Sequence, residues 1–185
     1  MSEMHKILDL PKLSALTGKH AFILVHGFQA SSNDMRMIKN HLALLYPDSL
    51  FLCSSENVHK TDGDIQEMGR NLAEEVRGFV KKHCSAFSQL GKLSFVGHSL
   101  GGVIIRAALP HLEEFKHKMH TFVSFSSPHL GYLFSGSSLV NAGMWFLKKW
   151  QKSKCLEQLS LTDQEKVKDC FLYRLAHQPV CVILD

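Results

Sequence analysis

"KLSFVGHSLGGVIIRAAL", residues 92–109, decides how this chain reads. Its opening, Lys92–Val96, is a short apolar run of strand length, and a second apolar run from Leu100 suits a helix. Between them lies Gly97-His98-Ser99-Leu100-Gly101, a G-x-S-x-G. That pattern works through geometry. A sharp strand-to-helix turn strains the serine backbone, needs small residues on both sides, and lifts the hydroxyl above the sheet edge. The helix N-terminus beneath it favours developing negative charge. Strand, turn and helix follow one another here in the required order, so Ser99 is a candidate nucleophile. The bland alternative is a serine in a structural Gly/Ser turn.

A second feature lies about 70 residues upstream. "FILVHGF" (22–28) places His26-Gly27-Phe28 just past an apolar run. Where a G-x-S-x-G serine attacks an acyl carbon, one oxyanion donor is the N–H after the nucleophile and another comes from a loop after an earlier strand. Leu100 and Phe28 occupy those positions. A single such donor is worth about 2.7–4 kcal/mol in the transition state. His26, Gly27, Gly97, His98 and Gly101 are then expected to support the turn and the loop.

Outward from these motifs, short apolar runs alternate with helical patterns. Residues 21–27, 49–54 and 120–127 have the length and composition of strands. "SSNDMRMIKNHLALLY" offers capping residues and apolar positions 35, 38, 42 and 45. From Asp64 to His83, Ile65, Met68, Leu72, Val76, Phe79 and Val80 recur in steps of three and four, an amphipathic helix. Helices are expected over 139–152 and about 163–176, and "VCVILD" (180–185) reads as a fifth strand. The alternation predicts a parallel sheet with helices on both faces, in one domain spanning 1–185.

Composition narrows the function classes. A chain of 185 residues suits one domain that buries roughly 70% of its unfolded surface. The net charge of +4 permits a basic patch but does not by itself argue for nucleic acid, and with no recognisable binding motif nucleic acid is not expected as a partner. Twelve histidines invite a search for metal spacing, but no H-E-x-x-H occurs, and His111-Leu112-Glu113-Glu114-Phe115 lacks the second His of the inverted motif. No metal and no organic cofactor are expected. Cysteines at 53, 84, 155, 170 and 181 form neither a disulfide framework nor a zinc pattern. The N-terminus does not read as a signal peptide, and no apolar run approaches the ~20 residues of a membrane span. A reduced, cytoplasmic location is expected, peripheral to membranes at most.

"FILVHGF", "GHSLGGVIIRAAL" and "SSPHLG" together resemble the lipase-like branch of the α/β-hydrolase superfamily. More closely, the chain is similar to the eukaryotic lipase-like serine esterase family, a domain family of unknown function. "TDGDIQEMGRNLAEEV" (61–76) resembles its helix before the serine strand, and 136–163 the region after its P-H-L-G loop; the likeness spans about 20–178. The resemblance implies an α/β-hydrolase-type sheet, a serine nucleophile and an ester or lipid substrate. It also implies an acid and then a His after Ser99, each following a further strand. Asp185 is a conceivable acid, but no His follows it. His177 lies near the end of a helical stretch, and His129 in "SSPHLG" is expected to shape its loop rather than act as base. The chain therefore reads as C-terminally truncated or ending in a misassigned tail.

Residues 131–160 read as a lid-like insertion. Within it, 139–154 combine Leu139, Trp145, Phe146 and Trp150 with Lys148, Lys149, Lys152 and Lys154. Such a segment caps an acyl pocket and contacts a membrane surface, or else it packs permanently on the sheet with its lysines solvated. Two functions follow. One is hydrolysis of lipid or acyl esters through Ser99, with thioesterase and acyltransferase chemistry using the same residues. The other is a catalytically incomplete pseudo-hydrolase serving as a lipid- or protein-binding module.

Overall fold

The computed structural model describes residues 18–131 and 153–178. β1 (Lys19–Val25), β2 (Leu50–Cys53), β3 (Leu90–His98) and β4 (Met119–Phe125) form a parallel sheet in the order β2-β1-β3-β4. The two central strands carry the apolar runs because a parallel strand covered on both faces has no polar side to show. Ala21–Val25 are all buried, as are Leu93–Gly97.

Alternation along the strands splits the core in two. Ile23 and Phe95 pair in register and pack with α2 (Ile65–His83) and α3 (Leu100–Ala108). Phe22, Leu24 and Val96 face the other way, against Met35 and the half-buried Ile38 and Leu42 of α1 (Arg36–Leu45). The expected sheet with helices on both faces is what forms.

α2 follows its sequence pattern closely. Ile65, Met68, Leu72, Val76 and Val80 are buried along one stripe, each contributing roughly 1.5–3 kcal/mol of transfer free energy. Asp64 caps it by accepting from Gln66 N–H at 2.7 Å, and Lys81, Lys82 and His83 complement the dipole at its other end. Residues 61–63 of the stretch likened to a family helix are therefore loop, ahead of the cap.

Two expectations change. The pattern at 35, 38, 42 and 45 begins as a 3-10 turn, Ser32–Met35, under a Ser31/Asp34 capping box, and its stripe stops at Leu42, with Leu45 71% exposed. The stretch expected as one helix over 163–176 is broken. Extended backbone at Cys170 separates a 3-10 turn, Val167–Asp169, from α5 (Phe171–His177), and Val167 points to solvent. Asp163 closes α5 by accepting from Phe171 N–H at 2.9 Å, a capping task that its place in sequence did not announce. Before it, α4 (Lys154–Leu159) buries Cys155, Leu156 and Leu159. The helix expected over 139–152, the strand at 180–185 and Asp185 lie outside the described residues; of the lid-like insertion, only Gly131 and 153–160 lie within them. Among the described residues, no helix is long and apolar enough to cross a membrane.

Candidate functional site

Parallel strands bring their carboxyl ends to one edge of the sheet, and the residues of both motifs gather there. Ser99 sits between β3 and α3 at φ 52° and ψ −124°, a backbone conformation outside the ordinary left-handed well. Its own N–H donates to Phe125 O at 3.0 Å, tying the turn to the end of β4. Two flanking glycines are required by contact. A Cβ on Gly97 would stand 2.6 Å from Gly102 Cα, and one on Gly101 2.6 Å from His26 O. The turn thus fits against both α3 and the end of β1 only with hydrogen at those places. Leu100 is the first residue of α3, so its N–H is among the donors a helix N-terminus leaves without an intrahelical partner.

The His26-Gly27-Phe28 loop lies directly beside this turn. A Cβ on Gly27 would fall 3.0 Å from Ser99 Cβ. Gly27 O accepts from His26 Nδ1–H at 3.0 Å and from Ala30 N–H at 3.3 Å. Because a carbonyl only accepts, Nδ1 carries the proton, and Nε2 of this buried ring has no hydrogen-bond partner among the described residues. Two donors on one carbonyl fix the plane of the 27–28 peptide, and with it the direction of Phe28 N–H. His26 therefore orients the loop through its ring.

The other candidate histidines are occupied elsewhere. His98 packs its ring on Phe125, with centroids 5.0 Å apart. His177 is exposed at the end of α5, its Nδ1 on Tyr173 O at 2.9 Å. His129 is clamped on both nitrogens. Arg106 Nη1, which can only donate, lies 3.4 Å from Nδ1, so Nε2–H is the donor to Ser124 Oγ at 2.7 Å. Burial, and secondarily the Arg106 charge, hold its pKa below the usual histidine value. The same guanidinium donates to His129 O and to Leu175 O, each at 3.3 Å. His129 thus anchors the loop after β4 to α3 and α5. No described histidine is hydrogen-bonded to Ser99.

Several residues at this edge carried no sequence signal. Of the non-glycine residues at positive φ, Gln29, Ser99 and Ser126 all follow the carboxyl ends of adjacent strands, β1, β3 and β4. Backbone strain of this kind costs on the order of 1–3 kcal/mol per residue and collects at functional sites. Thr61, buried in the loop before α2, accepts from Gln29 N–H at 3.0 Å. Lys154, one of the four lysines weighed as either membrane-contacting or solvated, is paired with Asp64 at 2.6 Å. Among the described residues no group of three His, Cys, Asp or Glu could hold a metal ion. A groove between β2 and α2, lined by Leu52, Glu75 and Phe79, includes none of the candidate site residues.

Residues 16–184 match the family described as "Putative serine esterase (DUF676)". The chain belongs to this family. It is also 27% identical over 178 residues to "Putative lipase ROG1" of Saccharomyces cerevisiae, covering 90% of the chain and 25% of that relative. Among solved structures, Bacillus licheniformis lipase BlEst2 in mature form superposes with a TM-score of 0.54 at 19% identity, over 85% of this chain and 63% of that one. Aspergillus fumigatus lipase B superposes with a TM-score of 0.50 at 18% identity, over 68% and 28%. At these identities the structural likeness shows the fold alone. The fold is that of the lipase-like α/β-hydrolases, and the chain spans only a quarter of the yeast relative's length.

Proposed function

We propose that this serine esterase domain hydrolyses carboxylic esters of lipid or acyl substrates, with Ser99 as the nucleophile. The observation that carries the reading is the backbone of Ser99, held at φ 52° and ψ −124° at the head of α3 and packed against Gly27. Strain at one serine, surrounded by glycines that contact would not let be anything else, has little structural use. It sets a hydroxyl at a sheet edge. There the Leu100 and Phe28 N–H groups serve as oxyanion donors, the second directed by His26 through Gly27. Ser99 Oγ attacks the ester carbonyl carbon, the alkoxide leaves with a proton, and water releases the acyl group in a second step. No metal or cofactor enters this chemistry.

The proton transfers need a base and an acid, and no described histidine is hydrogen-bonded to Ser99. Asp185 stays the candidate acid and lies outside the described residues. A cytoplasmic location fits the unpaired Cys53, Cys84, Cys155 and Cys170, and a role in lipid metabolism with contact to a membrane surface through 139–154 fits the lipase-like family. A second reading is a binding module that keeps the fold and the turn without turnover, favoured by His129 being held by Arg106 and Ser124.

Fluorophosphonate labelling separates the two. Stoichiometric label mapped to Ser99, and absent from Ser99→Ala, is expected of the esterase. A folded chain that takes no label overturns that reading and leaves the binding module.

A further inference from the structure

We infer that Thr61 is a positioning residue for the oxyanion loop, an inference that rests on the esterase reading above. The loop after β1 closes as a turn over Gly27–Ala30, with Ala30 N–H donating to Gly27 O at 3.3 Å. Phe28 and Gln29 are its two central residues. Gln29 alone of these has positive φ, 52°, the signature of a type II turn. That turn differs from the commoner type I by a flip of its central peptide, and it favours glycine or asparagine at the second central position. Glutamine there is strained, and nothing in the local sequence selects it.

What selects it is 32 residues away. The N–H of Gln29 belongs to that central peptide, and Thr61 Oγ1 accepts from it at 3.0 Å. A type I turn would aim this N–H elsewhere and forfeit the bond. Thr61 is only 4% exposed, so its hydroxyl faces the loop in place of solvent. Its neighbour Asp62 fixes the segment from the other side, its carbonyl accepting from Ser153 Oγ at 3.2 Å and Cys155 N–H at 3.4 Å. Thr61 therefore presents its oxygen from a rigid support. His26 and Ala30 hold the first peptide of the loop and Thr61 holds the second, so the direction of Phe28 N–H depends on both.

Thr61→Val keeps the shape and removes the acceptor, while Thr61→Ser keeps the acceptor; Thr61→Ala replaces the valine variant if that fails to fold. Two rates are measured on the whole chain: fluorophosphonate labelling of Ser99, and hydrogen exchange of the Gln29 amide by NMR. In Thr61→Val we expect labelling at least tenfold slower and Gln29 exchange at least tenfold faster, with both returned by Thr61→Ser to within threefold of wild type. A merely structural threonine would lower the melting temperature and leave the labelling rate of the folded protein unchanged, and that result overturns the proposal. Unchanged Gln29 exchange overturns it as well. Wild-type protein that takes no label overturns the esterase reading and the positioning role of Thr61 with it, whereas wild-type labelling matched by Thr61→Val overturns Thr61 alone.

Discussion

Replacing Ser99 by glycine should leave the fold more stable than replacing it by alanine, and either change should end the proposed chemistry. Ser99 sits at φ 52° and ψ −124°, where a residue with a Cβ is strained by on the order of 1–3 kcal/mol. Glycine removes that cost. It also adds freedom to the unfolded chain, which offsets the gain by about 0.4–1 kcal/mol. The appropriate reference is Ser99→Ala, since both variants lack the hydroxyl and only alanine keeps the Cβ. The difference leaves Ser99→Gly more stable than Ser99→Ala by about 1 kcal/mol, or roughly 2–4 °C in melting temperature for a chain of this size. Urea unfolding followed by circular dichroism measures it, with equal m-values required so that the midpoint reports stability. Neither variant should take up fluorophosphonate. If Ser99→Ala proves as stable as Ser99→Gly or more so, the turn stores no strain at Ser99, and the main support for its catalytic reading is gone.

Other expected outcomes rest on separate contacts. Gly101→Ala puts a methyl group 2.6 Å from His26 O, so it should cost about 1–3 kcal/mol and displace the β1 loop, read as a lowered urea midpoint and slower labelling. Gln158→Leu removes the buried acceptor that takes Ile65 N–H at 2.8 Å, and the orphaned donor should cost about 1–3 kcal/mol with labelling of the folded protein retained. His20, stacked on Phe22 and bonded to Ser94 Oγ at 2.8 Å, has its pKa pushed from 6.5 down to about 4 by burial and by the charges of His120 and Lys92. Between those values the unfolded chain binds more protons, so stability should fall as pH drops from 6.5 toward 4, and His20→Gln should flatten that slope in thermal melts.

The expected order of elements came from interactions between neighbours in the chain. An apolar run at 21–25, steps of three and four from Ile65 to Val80, and glycines on both sides of Ser99 each express a constraint that acts within a turn or two of backbone. Such constraints are written in adjacent residues, and they located the sheet, the helices and the strand-to-helix turn. The breaks were local as well, but subtler: extended backbone at Cys170 split a helix that the apolar spacing of Val167, Phe171 and Leu175 had joined.

Tertiary structure alone decided which distant side chains meet. Thr61 meets Gln29 across 32 residues, Arg106 meets His129 across 23, and Gln158 meets Ile65 across 93. A hydroxyl, a guanidinium and an amide are common on any surface, and no periodicity marks the few whose partners are buried. Sequence placed His129 as a loop-shaping residue but could not name its partners. The fold made it an anchor, because Arg106 takes one nitrogen and Ser124 the other. The sheet order β2-β1-β3-β4 brings the ends of β1, β3 and β4 side by side, and only that adjacency turns three strained residues and two distant motifs into one candidate site.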